Sequence, residues 1–182
     1  GAAGKWIGFD EIYYLHPTDQ GYDEMCRTKL GRCEDISNMM AYAARASSTL
    51  CATDYTPAWA DRDNNHAWEV VLDAHGHGSA PLAHRAAKIY RKTFAIQRDS
   101  LGAIRGEEPA PPWLAGTHFT DVTRQYLETT DVTVKVSGAP AGHNFAYLCV
   151  FNGGEWTAIH WARVHGDVAT FFGMGRGVAY LP

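Results

Sequence analysis

An α+β protein is predicted, with a mixed helix-and-strand N-terminal part giving way to an all-β C-terminal part. Three features of the chain carry that reading. Apolar residues recur at a helical period from Cys33 to Ser47, residues alternate with period two in "HAWEVVLD", and short aromatic and β-branched runs follow one another beyond residue 117. The helix is the clearest element. Ile36, Met39, Met40, Ala43 and Ala44 share one face, Glu34 and Asp35 fall in the first turn where carboxylates suit the positive dipole end, and Ser47-Ser48 with Thr49 close it. After it "CATDYTPAWA" reads as extended, "DRDNN" as a polar turn, and "HAWEVVLD" as a strand that reaches a glycine turn at "AHGHG", which implies a hairpin. The return segment "SAPLAHRAAKIYRKTFAIQ" begins as a strand and continues as helix or extended chain. "GEEPAPPWLAG" then interrupts the pattern, so residues 98–116 are expected to link a domain at 1–97 to a β-rich domain at 117–182. In the latter, "DVTVKV", "NFAYLCVFN", "EWTAIHWARV", "VATFFG" and "GVAYL" argue for an antiparallel sheet or sandwich.

Composition narrows the function classes. With 182 residues the chain can bury a substantial core, and 46% hydrophobic with 20% charged residues is ordinary for a globular protein. A net charge of −4 with scattered basic residues provides no footprint for nucleic acid or an anionic membrane, and no apolar run is long enough to span a bilayer. The start "GAAGKW" lacks the regions of a signal peptide, which leaves a cytosolic protein or a leader already removed. Four cysteines, Cys26, Cys33, Cys51 and Cys149, are too few for a disulfide framework and contain no CxxC zinc pair; a single Cys26–Cys51 bridge stays open. His75 and His77 have the spacing of a metal pair but sit between turn glycines without a third ligand, so neither metal nor cofactor is expected. Trp59, Trp68, Trp113, Trp156 and Trp161 read as buried strand aromatics before they read as the lining of a glycan or peptide groove.

Cys33 stands at a helix N-terminus, where unpaired backbone N–H groups and the dipole favour thiolate; Arg32 adds to this, and Glu34 and Asp35 oppose it if their carboxylates point at the sulfur. His66 follows the polar turn and opens the strand expected to pack near that helix, so it could act on the thiol in space. "GRCED" and "NNHAW" in this order resemble the transglutaminase-like superfamily of cysteine enzymes over residues 10–95. That family carries a glycine-x-cysteine at a helix start, then an "HAW" strand, then an acid on the next strand. Further on, "AKIYRKTFAIQ", "FTDVTRQY", "DVTV" and "VFNGGEWTAIHWA" resemble bacterial proteins, many of them secreted, in which such a domain precedes a β-rich module. The resemblance implies a papain- or transglutaminase-like core with the helix-leading Cys33 packed on an antiparallel sheet, a small sandwich-like domain after it, and a secreted or periplasmic location.

The third position departs from the family. Asp73 lies at the far end of the His66 strand and on its other face. Pairing Asp73 with Gly78 around the turn sets residue 66 opposite 85, which brings His84 or Arg85 to the acid's place and suggests a Cys33-His66-His84 arrangement, with Asp61 and Asp63 as fallback partners. Oxyanion donors are expected from the Cys33 N–H and one of Tyr13, Tyr14 or Tyr22. The implied activity is attack of a Cys33 thiolate on amide bonds of a peptide, protein or cell-wall peptide substrate, with hydrolysis expected over cross-linking. The alternative is a fold that has lost catalysis and binds a peptide or glycan.

Overall fold

The computed structural model describes residues 5–137 and 142–182, so residues 1–4 of the "GAAGKW" start lie outside it. It is an α+β protein with antiparallel sheets. Contacts divide it into two compact units: residues 1–55 with 66–80, and residues 56–65 with 81–182.

In the first unit, β1 (Gly8–Phe9) runs parallel to β2 (Leu30–Gly31), with Phe9 opposite Gly31. A 3-10 turn at Glu11–Leu15 follows β1, capped by Asp10, whose carboxylate accepts from the Ile12 N–H at 3.0 Å. Helix α1 (Tyr22–Thr28) ends at Lys29 in the left-handed region, with φ 57°. Helix α2 (Cys33–Ala46) occupies the expected span. Its most buried residues are Cys33, Asp35, Ser37, Met39 and Ala41. Met39 joins Ile7 and Met25 in a core to which Ile36 adds its edge, whereas Met40, Ala43 and Ala44 stay half-buried. Polar residues hold the deepest places because they are satisfied there: Ser37 Oγ donates to the Cys33 carbonyl at 2.7 Å, and Asp35 accepts several N–H groups. Strand β3 (Cys51–Thr56) is the hydrogen-bonded neighbour of β4 (His66–Val71), and α2 packs on β4.

The second unit starts with the loop 56–65 and resumes at Pro81. Strand β5 (Tyr90–Lys92) pairs antiparallel with β6 (Phe119–Asp121), Tyr90 opposite Asp121. Residues 98–116, expected as a linker, lie inside this unit. They form the short helix α3 (Leu101–Ile104) and bury Leu101 and Leu114 with Phe145 and the flank of Trp113. Strands β7 (Thr129–Lys135), β8 (Phe145–Asn152), β9 (Glu155–His165) and β10 (Val168–Gly175) form one antiparallel sheet in the order β7-β10-β9-β8. The alternation that predicted these strands is what buries Leu148, Val150, Ile159, Ala169 and Phe171 together. "GVAYL" adds only a bridge between Leu181 and Cys149. Among the described residues, the region 117–182 is thus a single four-stranded sheet plus a strand paired to β5, in place of a free-standing sandwich.

Two polar devices brace this unit. Asn152, at the end of β8, donates to the carbonyls of Trp59, Arg62 and Asn64 at 3.0–3.1 Å and accepts from the Asn64 N–H at 3.0 Å, which fixes the loop just before His66. Lys88 has a fully buried side chain whose ammonium donates to Asp121 and to the carbonyls of Phe172 and Gly173. Burial pulls the Lys88 ammonium down while Asp121 counters it; the Asp121 carboxyl, despite its own burial cost, is held below its ordinary 3.8 by Lys88 and Thr123.

Two stability outcomes follow from the packing. Phe171→Ala, at a fully buried position, is expected to cost about 3–5 kcal/mol through lost transfer energy and the cavity left behind, read as a lower urea midpoint. Asp121→Asn leaves the Lys88 charge under-compensated and is expected to cost about 2 kcal/mol at pH 7, discounted because the carboxylate is partly exposed. The lowered Asp121 pKa works above the ordinary aspartate range and is lost as pH falls through it, so wild type and variant should converge in acid.

Candidate active site

The cysteine is placed by a convergence of backbone segments on the α2 N-terminus. Asp35, at the third helical position and fully buried, accepts from the Arg32 N–H at 3.0 Å, the Gln20 N–H at 2.8 Å and the Gln20 side-chain amide at 3.1 Å. It caps its own helix and ties the preceding loop to it. Gly31 allows this approach, since a Cβ there would lie 2.7 Å from the Asp35 Cβ and 3.0 Å from its carboxylate. The spacing Gly31-Arg32-Cys33-Glu34-Asp35 is therefore a packing requirement as well as a motif.

The β1–β2 ladder then delivers the 3-10 turn. The Asp10 N–H donates to the Gly31 carbonyl at 3.0 Å, and four residues later the Tyr14 hydroxyl stands 3.9 Å from the Cys33 sulfur in a hydrogen bond. Of the three tyrosines considered as oxyanion donors, Tyr14 is the one in contact with the thiol. Burial foremost, then Cys33 and Glu34, push its hydroxyl up to about 12, so it keeps its proton across the neutral range. From β4, which packs on α2, the Ala67 backbone N–H lowers the thiol's pKa. Ala67 directly follows His66, whose ring stacks on Trp68 at 5.7 Å between centroids.

The electrostatics at sulfur run opposite to the helix-dipole expectation. The Cys33 residue is 7% exposed, and its thiol donates to Glu34 Oε2 at 3.1 Å. Burial first, then the Glu34 charge and hydrogen bond, raise its pKa from 9.0 to about 11 against the lowering by the Ala67 N–H and Tyr14. Of the two first-turn carboxylates, Glu34 faces the sulfur, while Asp35 is engaged with Gln20 and Arg32.

His84 does not take the place given to it. The return strand needed to set residues 84–85 opposite His66 does not form: β4 has β3 as its neighbour, and residues 72–89 contain no strand. His84 belongs to the second unit, where Arg62 Nη1 meets its Nε2 at 3.0 Å, Asp61 approaches at 3.9 Å, and its ring meets Trp59 edge-on. Asp61 also accepts from the Arg85 N–H at 3.0 Å, and Asp63 from the Gly153 N–H at 2.8 Å, so both fallback acids hold loop backbone. Asp73 organises the turn after β4 by accepting from the N–H groups of His75 and His77 at 2.8 and 2.9 Å. A carboxylate missed in the sequence is Asp54, fully buried on β3, the strand beside β4. Its signal was an aspartate inside the strand-forming run "CATDYT".

The remaining candidates fall in place. Cys26, Cys33, Cys51 and Cys149 are free thiols. No group of three or more His, Cys, Asp or Glu among the described residues could hold a metal, and no described helix is long and apolar enough to cross a membrane. Trp59 is buried, Trp113 donates to the Ala158 carbonyl at 2.8 Å, Trp161 packs edge-on against Phe145, and Trp156 stays partly exposed against Phe151 at the β8–β9 tip.

Two measurements check this site. Iodoacetamide should alkylate Cys33 about a hundredfold more slowly at pH 7 than a free thiol, with the rate rising as pH approaches 11, because a raised thiol pKa leaves little thiolate below it. Gly31→Ala should displace Asp35, cost about 1–3 kcal/mol and lower the thermal midpoint. Comparison with family models, characterised proteins and solved structures produces no match to this chain, so the transglutaminase-like resemblance rests on its residues alone.

Proposed function

We propose that the protein is a transglutaminase-like cysteine enzyme that hydrolyses amide bonds of peptides or cross-linked peptides, with Cys33 as nucleophile and His66 as base. The observation that carries the reading is the packing of α2, which Cys33 opens, on β4, which His66 opens, with the Ala67 backbone N–H acting on the sulfur. A papain- or transglutaminase-like core, a secreted or periplasmic location and a cell-wall peptide as one substrate class belong to the same reading.

His66 takes the thiol proton as sulfur attacks the carbonyl carbon, giving a tetrahedral oxyanion. In this reading the Cys33 N–H at the helix start and the protonated Tyr14 hydroxyl, 3.9 Å from the sulfur, serve as donors to that oxygen. His66 returns the proton to the leaving amine, and water, losing a proton to His66, hydrolyses the thioester to free the acid and restore the thiol. In this reading Asp54 takes the acid's part in orienting His66, supported by its full burial on the strand beside β4.

A second reading, a fold that binds a peptide or glycan without chemistry, is favoured by the burial of the Cys33 thiol and its hydrogen bond to Glu34, which raise its pKa. A peptide vinyl sulfone separates the two. Adduct formation on Cys33, slowed about 100-fold or more by His66→Ala and abolished by Cys33→Ala, is the expected result for an enzyme; Asp54→Asn should slow it with the fold retained by circular dichroism. No adduct on the wild type, together with alkylation indifferent to His66→Ala, would leave the binding reading.

A further inference from the structure

We propose that Glu34 gates the nucleophile: at rest its carboxylate accepts the hydrogen bond of the Cys33 thiol, and substrate entry transfers it to the Nε–H of Arg32, freeing the sulfur. This deepens the Cys33–His66 reading above and rests on it.

The geometry holds both positions of the gate close together. Glu34 Oε2 lies 3.1 Å from the Cys33 sulfur and 3.6 Å from Arg32 Nε. Arg32 Nε is buried and makes no hydrogen bond, while the other two guanidinium nitrogens are held, Nη2 by Asp19 at 2.9 Å and Nη1 by the Tyr13 carbonyl at 3.4 Å. The guanidinium is thus pinned with one donor unfilled and facing the carboxylate that occupies the thiol. Closing 3.6 Å to an ordinary hydrogen bond of about 2.9 Å needs a shift of less than about an ångström and satisfies that donor with a charge-assisted bond.

Glu34 is not the base. Its charge and the hydrogen bond it accepts hold the proton on the sulfur instead of drawing it off. What changes as it moves is how strongly it opposes thiolate. Once it has moved, the S–H bond breaks toward His66 and the new N–H bond forms on the imidazole. Tyr14 from the 3-10 turn is the other titratable group in contact with the sulfur; Asp35 and Arg32 flank it at the helix start, and β4, which packs against α2, carries His66 and Glu69. Asp35 is held by Gln20 and the Arg32 N–H, and Tyr14 keeps its proton at neutral pH, so neither can serve as the moving charge. The consequence is a nucleophile masked as a buried thiol until a substrate arrives.

The test is the pH profile of Cys33 alkylation by iodoacetamide in the full chain, with Glu34→Gln and Glu34→Ala read in parallel so that a folding defect in one does not decide the result. Either variant should move the midpoint down by about one unit and raise the rate at pH 7.5 about tenfold. The swing itself is read from the vinyl sulfone reaction: Arg32→Met should slow it, and adding Glu34→Gln should restore it, since a carboxylate that is absent needs nowhere to go. An unchanged or slower profile in both Glu34 variants, or Arg32→Met with no effect or no rescue, overturns the gate. If His66→Ala changes nothing in either the wild type or the Glu34→Gln background, the Cys33–His66 reading fails and the gate with it; if His66→Ala slows alkylation while the Glu34 variants do nothing, the reading stands and only the gate falls.

Discussion

The buried carboxylate of Asp35 is the interaction on which the first unit depends. It lies at the third position of α2, is 0% exposed, and gathers N–H groups from Gln20 and Arg32. A carboxyl group so placed is tolerable only when its lone pairs are filled, and filling them requires the loop before α1 and the strand β2 to converge at one point. Gly31 is the steric half of the same constraint, because any side chain there would occupy the carboxylate's space. From that point follow the start of α2, the seat of Cys33, and, through the β1–β2 ladder, the turn that brings Tyr14 to the sulfur.

The thiol shows how a general expectation yields to a local contact. A helix N-terminus favours an anion by roughly 0.3–1 kcal/mol. The rise of the Cys33 pKa from 9.0 to about 11 corresponds to roughly 3 kcal/mol against the thiolate, from burial and the Glu34 carboxylate together. The dipole is present and is outweighed, so the resting group is a thiol. Burial is the larger cause, and a residue one place along the chain adds to it because its carboxylate lies within hydrogen-bond distance of the sulfur, where the dipole acts only diffusely.

The second unit relies on polar groups inside an otherwise apolar sheet. Its core of Leu148, Val150, Ile159 and Phe171 follows from strand alternation, but the loops attached to it are held by Asn152 and Lys88, each with several backbone carbonyls as partners. The tyrosine of β5 adds a third such bond set, with the Tyr90 hydroxyl donating to the Ile159 carbonyl at 2.9 Å and meeting His160 Nδ1 at 2.8 Å. Burial drives His160 well below its ordinary 6.5, to about 3, so that ring is neutral across the physiological range.

By itself the sequence determined the elements whose signal is local and repeated. Helix α2 is legible because a 3.6-residue period and two first-turn carboxylates agree, and β4 and β8–β10 because alternation extends over six or more residues. It also pointed to Cys33 and His66, since each opens an element. Shorter pieces escaped: α1 has seven residues and α3 four, too few for a period to show. The tertiary structure alone decided the rest. Prolines around Trp113 read as a boundary, yet the apolar residues among them are buried with Phe145, because turn chemistry is local and burial is not. His84 was placed by assuming a return strand, and strand pairing is a long-range choice that made β3 the partner of β4. That Glu34 faces the sulfur and Asp35 does not is a matter of side-chain direction, set by which neighbouring N–H groups the fold brings to each carboxylate.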